Sequence, residues 1–277
     1  MTDYKASRTA IGTAYLRAAH QLLDAQPRIL DDPVALSLLG PGALQLIKNK
    51  ANDYRTPESL ALRTHVVLRS RFAEDRLAAA VLCGVAQYVI LGAGFDTFAL
   101  RQPSWAQALK IYEVDHPKTQ AVKRSHLASA GLAMPENAVF ADIDFEQQSL
   151  HDGLLRHHIS MDEPTFFSWL GVTMYLKEDA IDAVLRSVAM FPAGSEIVLT
   201  FVPPPGDSPS PLARIVASLG EPWVSYFEPD TLEAKMRVAG FSKVAFLSPA
   251  EAEARYFRQR PGDLPVPKQT YILHAVL

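Results

Sequence analysis

Tyr88-Val89-Ile90-Leu91-Gly92-Ala93-Gly94-Phe95-Asp96-Thr97 is the stretch whose reading decides the fold. Four apolar residues that stop at a glycine read as a buried strand running into a tight turn. Glycines at the carboxyl end of a first strand let the backbone turn sharply and let a ligand lie against the main chain. A Gly-x-Gly by itself is weak, because ordinary strand-to-helix turns carry it too. The second signal comes from Tyr112-Glu113-Val114-Asp115. Asp115 ends another apolar run about 20 residues beyond the glycines, where an acid can accept both hydroxyls of an adenosine ribose.

Working outward, further strands are expected at Lys110 to Val114, Ala138 to Ala141, Thr165 to Leu170, Glu196 to Val202, Lys243 to Leu247 and Gln269 to Val276. Helical patterns fall between them at Pro117 to Ala130, Lys177 to Phe191 and Asp230 to Ala239. Such alternation predicts an α/β fold, a Rossmann-like and mostly parallel sheet covered on both faces. The last two strands lie close together and predict an antiparallel, hairpin-like edge. Ahead of this core, residues 6 to about 82 read as helical. Asp31-Asp32-Pro33 reads as a helix start, a carboxylate cap followed by proline. The expected division is a helical cap over residues 1–84 and a cofactor-binding core over 85–277.

The charge of the ligand can be argued from the turn. A dinucleotide fold wants a third glycine where this chain has Thr97, and sets a diphosphate over the next helix start. That start is expected here to carry Asp96, which repels a diphosphate. S-adenosyl-L-methionine carries a sulfonium and an ammonium against one carboxylate, so its sign fits. Opposite charges ~4 Å apart attract by roughly 4 kcal/mol at an effective dielectric of about 20, before desolvation. Two more stretches are expected at the same crevice. Asp142 and Ile143 follow the third strand and would bracket an adenine, although Asp142 could equally cap the next helix. Trp169-Leu170-Gly171-Val172-Thr173-Met174-Tyr175-Leu176 follows the fourth strand, with Trp169 and Tyr175 expected as pocket walls and Met174 and Leu176 open to a core reading.

These strings, with Glu113-Val114-Asp115-His116-Pro117 and the opening Ser7-Arg8-Thr9-Ala10, resemble the leucine carboxyl methyltransferase superfamily. The similarity is nearest to its bacterial branch of tetracenomycin-type polyketide O-methyltransferases. The resemblance implies a class I methyltransferase core of seven strands, the last antiparallel, with an N-terminal helical cap and S-adenosyl-L-methionine as cofactor. It also implies an arginine, from the helix before the first strand, on the cofactor carboxylate, and Arg69 and Arg63 match best. An arginine fork suits a carboxylate. Gly92, Ala93, Gly94, Asp96, Thr97, Asp115, Asp142, Ile143, Trp169 and Leu170 complete the expected cofactor set. The protein-carboxylate branch has a glutamate at the position of Leu170, which favours a small-molecule acceptor, a carboxylate or hydroxyl of a polyketide-like or aromatic metabolite. Protein C-terminal carboxyl methylation, and a binding protein without turnover, are the competing readings.

The segment from Phe201 to Phe227 is rich in proline and aromatics, and Tyr175, Trp223, Tyr226 and Phe227 are expected to line the acceptor pocket. No catalytic base stands out: His116 reads as structural, and His157-His158 as part of a surface helix. With 27 basic against 30 acidic residues the formal charge is −3, which gives no electrostatic reason to expect nucleic acid or an anionic membrane as partner. The one cysteine, Cys83, sits in an apolar context and is expected to be buried. No metal is expected. The opening Met1-Thr2-Asp3-Tyr4-Lys5 lacks a signal peptide's apolar run, so a soluble, cytoplasmic protein is expected.

Overall fold

The computed structural model describes residues 7–206 and 210–277. The opening pentapeptide and residues 207–209 of the covering segment lie outside them. Seven strands form one sheet: β1 (Gln87–Leu91), β2 (Lys110–Asp115), β3 (Ala138–Asp142), β4 (Thr165–Trp169), β5 (Glu196–Thr200), β6 (Lys243–Phe246) and β7 (Ile272–Val276). Their spatial order is β3-β2-β1-β4-β5-β7-β6. Only β7 runs antiparallel to its neighbours. The last two strands pair antiparallel at one side of the sheet, as the sequence predicts, with β7 inserted between β5 and the outer β6.

Alternation along each strand builds two cores. Tyr88 and Ile90 of β1 point to one face, with Phe166, Val198 and Ile272, and there meet Leu68, Phe72 and Leu77 of α4 (Pro57–Leu82). Val89 and Leu91 point to the other face, with Phe167, Trp169 and Leu199. That face is covered by α6 (Leu150–Arg156), α7 (Glu178–Val188) and α9 (Pro229–Ala239). Each such fully buried aliphatic side chain contributes about 1.5–3 kcal/mol.

Before the sheet come α1 (Arg8–Leu23), α2 (Val34–Leu39), α3 (Ala43–Asn49) and then α4. Thr56 caps α4 through the Ser59 amide, with Pro57 in the first turn. Asp32 accepts the Ala35 amide at 3.0 Å, so the Asp-Pro start is real. α1 to α3 pack Ala14, Ala18, Leu38 and Ile47 onto Phe95 of the glycine turn and Leu127 of α5 (Pro117–Ser129). The cap therefore rests on the glycine turn itself.

Three expectations change. The glycine turn leads only into three-residue 3₁₀ turns, Phe98–Leu100 and Ser104–Ala106, with no α-helix before β2. Cys83 is exposed, because it ends α4 in a turn completed by Gly84 at φ +99°. His157 and His158 lie past the end of α6, and His158 adopts φ +60°. Among the described residues no helix is long and apolar enough to cross a membrane.

Candidate cofactor-binding site

Sheet register aligns the strand ends. Leu91 pairs with Val114, Asp115 with Asp142, and Ile90 with Ser168. Gly92, Asp115, Asp142 and the turn after Trp169 therefore lie side by side along the carboxyl edge, where open α/β sheets bind ligands. At Gly92, φ is +67° and a Cβ would stand 2.3 Å from Val172. Only glycine lets the first and fourth turns abut so closely.

Asp115 accepts hydrogen bonds from the amides of Gly94 and His116. Each carboxylate oxygen keeps a lone pair for a further donor, as two ribose hydroxyls require. Burial raises its pKa, against the pull of those two amides and of Lys123. The turn is braced from beneath: Lys123 Nζ donates to the Asp96 carbonyl (2.7 Å) and pairs with the buried Glu113 carboxylate. Asp96 is half-buried and its Oδ1 accepts the Phe98 amide at 2.7 Å. Asp142 is exposed at the end of β3 and does not cap α6, whose cap is Ser149.

Arg69 is half-buried on α4. A Cβ on Gly171, whose φ is +77°, would lie 2.5 Å from Arg69 Nη1, so the guanidinium lies on the bare backbone of the β4 turn. Among the described residues no hydrogen bond or ion pair holds it. Burial, then the charge of Arg17, pulls its pKa down to about 10, while Tyr175 and Asp96 act the other way. A half-buried, unclaimed guanidinium at the carboxyl edge of such a sheet is free to fork onto a carboxylate.

Several predicted residues are placed elsewhere. Arg63 is 1% exposed, and its three nitrogens are taken by both Asp24 oxygens and the Tyr54 carbonyl at 2.6–2.7 Å. It staples the end of α1 to α4. Thr97 is buried, and its hydroxyl donates to Asp32 at 2.6 Å, away from the turn's open side. Trp169 is 0% exposed inside the core, and its Nε1 has no partner among the described residues. Ile143 and Phe227 are core residues as well, Ile143 packed on Gly153 and Phe227 donating its amide to the Val202 carbonyl. Ala93 is buried and donates its amide to Val114, while Leu170 is half-buried.

The segment 221–227 folds over this edge. The amides of Val224 and Ser225 donate to the Met174 carbonyl, at 2.7 and 3.3 Å. That sets Trp223 and Tyr226 beside the turn bearing Tyr175, with the two rings edge to face at 6.5 Å. Trp223 is half-buried, and its buried indole nitrogen has no partner among the described residues. Glu221 at the head of the segment clasps α1, accepting from Ser7 Oγ (3.0 Å), the amides of Arg8 and Thr9, and Thr9 Oγ1. Ala10, one residue further along α1, reaches within 3.0 Å of where a Gly94 Cβ would stand.

Sequence reasoning missed Arg17, Glu221 and His65. His65 stands one helical turn before Arg69, hydrogen-bonded to the backbone of Thr270. Burial, and secondarily the Arg69 charge, pushes its pKa down to about 3, so the imidazole is neutral near pH 7. The spacing of four from Arg69 on a helix was the signal that could have found it.

Known proteins carry the same pattern. A model of the leucine carboxyl methyltransferase family matches residues 10–189. The chain is 29% identical over 304 residues to YktD of Bacillus subtilis (strain 168), named as a candidate S-adenosyl-L-methionine-dependent methyltransferase, with 100% of this chain and 99% of YktD covered. It is 31% identical over 219 residues to a protein of the same description from Parafrankia sp. (strain EAN1pec), covering 77% and 69% of the two chains. Among solved structures, a candidate methyltransferase of Thermobifida fusca YX superposes at TM-score 0.55 and 19% identity, covering 99% and 95%. A duf574 family protein of Streptomyces avermitilis superposes at TM-score 0.55 and 16% identity, covering 98% and 97%. Those two structures share the fold. The chain belongs to the leucine carboxyl methyltransferase family, whose cofactor is S-adenosyl-L-methionine.

Proposed function

We propose that this enzyme methylates an oxygen, carboxylate or hydroxyl, of a small polyketide-like or aromatic metabolite, with S-adenosyl-L-methionine as donor. The observation that carries this reading is the aromatic cover: Trp223 and Tyr226, pinned beside Tyr175 through the Met174 carbonyl, pack edge to face at this edge of the sheet. A planar aromatic acceptor packs favourably against such ring faces and edges. Leu170, where protein carboxyl methyltransferases carry glutamate, points the same way.

The bound cofactor supplies an activated methyl on a sulfonium, a good leaving group for in-line displacement. What this chain contributes is placement. Asp115 is set to accept the ribose hydroxyls, Asp142 to meet the adenine edge, and Arg69 to fork onto the tail carboxylate. Fixing both ends leaves one line of approach to the methyl, and orientation of that kind can lower a barrier by several kcal/mol, up to about 7–11. A carboxylate acceptor needs no base. A hydroxyl acceptor could donate to the neutral imidazole of His65, an interaction that its Thr270 bond would orient.

The test is incubation of the purified protein and a desalted bacterial extract with methyl-labelled S-adenosyl-L-methionine. The proposal expects label in solvent-extractable small molecules, with base-labile label marking an ester and base-stable label an ether. Label confined to precipitated protein would show a protein carboxyl methyltransferase instead.

A further inference from the structure

His65 and Arg69 lie one turn apart on α4, on the same side of the helix. Arg69 lies on Gly171 of the β4 turn. His65 bonds instead to the backbone of Thr270, at the entry to β7. The two places adjoin: Thr200 of β5 pairs with Ile272 of β7 and takes the Gly171 amide on its hydroxyl at 2.7 Å. Thr270 is buried, with its own hydroxyl committed to the Leu247 carbonyl. Tyr271 beyond it accepts the amide of Phe201, where the covering segment begins. His65 therefore stands where α4, the end of β5 and the cover meet, and the glycine turn separates it from Asp115 and Asp142 on β2 and β3.

The bond to Thr270 favours the protonated imidazole, so a ring N–H donates to the Thr270 carbonyl. Burial, and then the Arg69 charge, outweigh that bond and keep the ring neutral near pH 7. A neutral imidazole has one N–H, and here it is taken. The other nitrogen is a bare lone pair with no partner among the described residues, on a ring that is only half-buried. Such a nitrogen suits a hydroxyl, which brings a proton. It repels a carboxylate, which brings only further lone pairs.

We propose that His65 is the catalytic residue that takes the acceptor's proton, and that the acceptor is a hydroxyl, so that the product is an ether and not an ester. This rests on the reading that the enzyme methylates an oxygen of a small molecule at this edge. As the acceptor oxygen bonds to the methyl carbon, the carbon–sulfur pair leaves with the sulfur and the hydroxyl proton passes to the open ring nitrogen. The products are an ether, a neutral thioether and an imidazolium, which gives its proton to water. A hydroxyl becomes a far stronger acid as the new bond forms, so even a weakly basic imidazole can take its proton at that moment.

Labelled methyl transfer to a deproteinised bacterial extract tests this, with the extract diluted in series to give a plateau rate and a half-saturating dilution. The wild type is expected to form base-stable label. His65→Gln keeps an amide N–H for Thr270 and an oxygen to meet the hydroxyl, but it cannot take the proton. Its plateau is expected to fall about a hundredfold. Its half-saturating dilution should stay within about threefold of the wild type. Calorimetry with S-adenosylhomocysteine, expected within about twofold of the wild type, shows that the variant is folded. Base-labile label from the wild type overturns the proposal without any variant. An unchanged plateau in His65→Gln, or a loss confined to the half-saturating dilution, overturns it too. Label found only in protein when whole extract is supplied would strike the small-molecule reading itself, a result separate from these.

Discussion

The guanidinium of Arg69 occupies the space that a side chain on Gly171 would need. The glycine is therefore what lets an arginine from α4 lie on the β4 turn, and the proposed function gives that arginine the cofactor's carboxylate. Gly171→Ala tests the pairing. The left-handed backbone costs a β-carbon about 1–2 kcal/mol, and the flexible arginine is the group that must yield. We expect a fall of a few degrees in Tm together with at least a tenfold loss of S-adenosylhomocysteine affinity. An affinity loss no larger than the stability loss explains would separate the two residues.

Arg69 itself is expected to show a trade between stability and binding. Among the described residues no anion holds it, and it feels the like charge of Arg17. Arg69→Met removes that repulsion and keeps an unbranched side chain, so the unliganded protein should become more stable by about 1 kcal/mol. Cofactor binding should be lost in calorimetry. A destabilised variant would mean that Arg69 has a structural partner in solution.

His65 predicts a pH dependence of folding. Its folded pKa, about 3, lies below the 6.5 of an unfolded histidine. Between those values the unfolded chain binds the proton and the folded one does not, so this group's contribution is present above pH 6.5 and is lost as pH falls toward 3. The slope is at most about 1.4 kcal/mol per pH unit. Urea midpoints of wild type and His65→Gln at pH 7 and pH 5 check it. The wild type should lose more stability than the variant across that interval, and parallel losses would refute the assignment.

Glu221 ties the acceptor roof to the first turn of α1. It accepts bonds there from two amides and two hydroxyls. A carboxylate at a helix N-terminus contributes about 0.5–1 kcal/mol, and Glu221→Gln removes its charge. With α1 loosened over Gly94, stopped-flow fluorescence should show S-adenosylhomocysteine leaving several-fold faster. An unchanged dissociation rate would mean that α1 does not gate the crevice.

Much of this architecture could be read from the chain because its signals are local. Each apolar run that ends in Gly92, Asp115, Asp142 or Gly171 is a strand with its ligand-facing end marked. The errors come from contacts that no local pattern encodes. Arg63 and Arg69 share a helix, but six residues at 3.6 per turn rotate the side chain by about 240°, and Arg63 meets Asp24 instead. Thr97 lies next to the glycine turn in sequence, yet its hydroxyl turns back to Asp32, 65 residues earlier. Glu221 finds Ser7 across 214 positions, and Arg17 finds Phe95 across 78. Trp169 alternates into the core because the strand continues through it.

A crystal structure with S-adenosylhomocysteine bound tests the central claim most directly. The account predicts the tail carboxylate within about 3 Å of the Arg69 guanidinium and both ribose hydroxyls on Asp115, with the sulfur facing Tyr175 and Trp223. A nucleoside turned end for end, or Arg69 and Asp115 both without ligand contact, would contradict it.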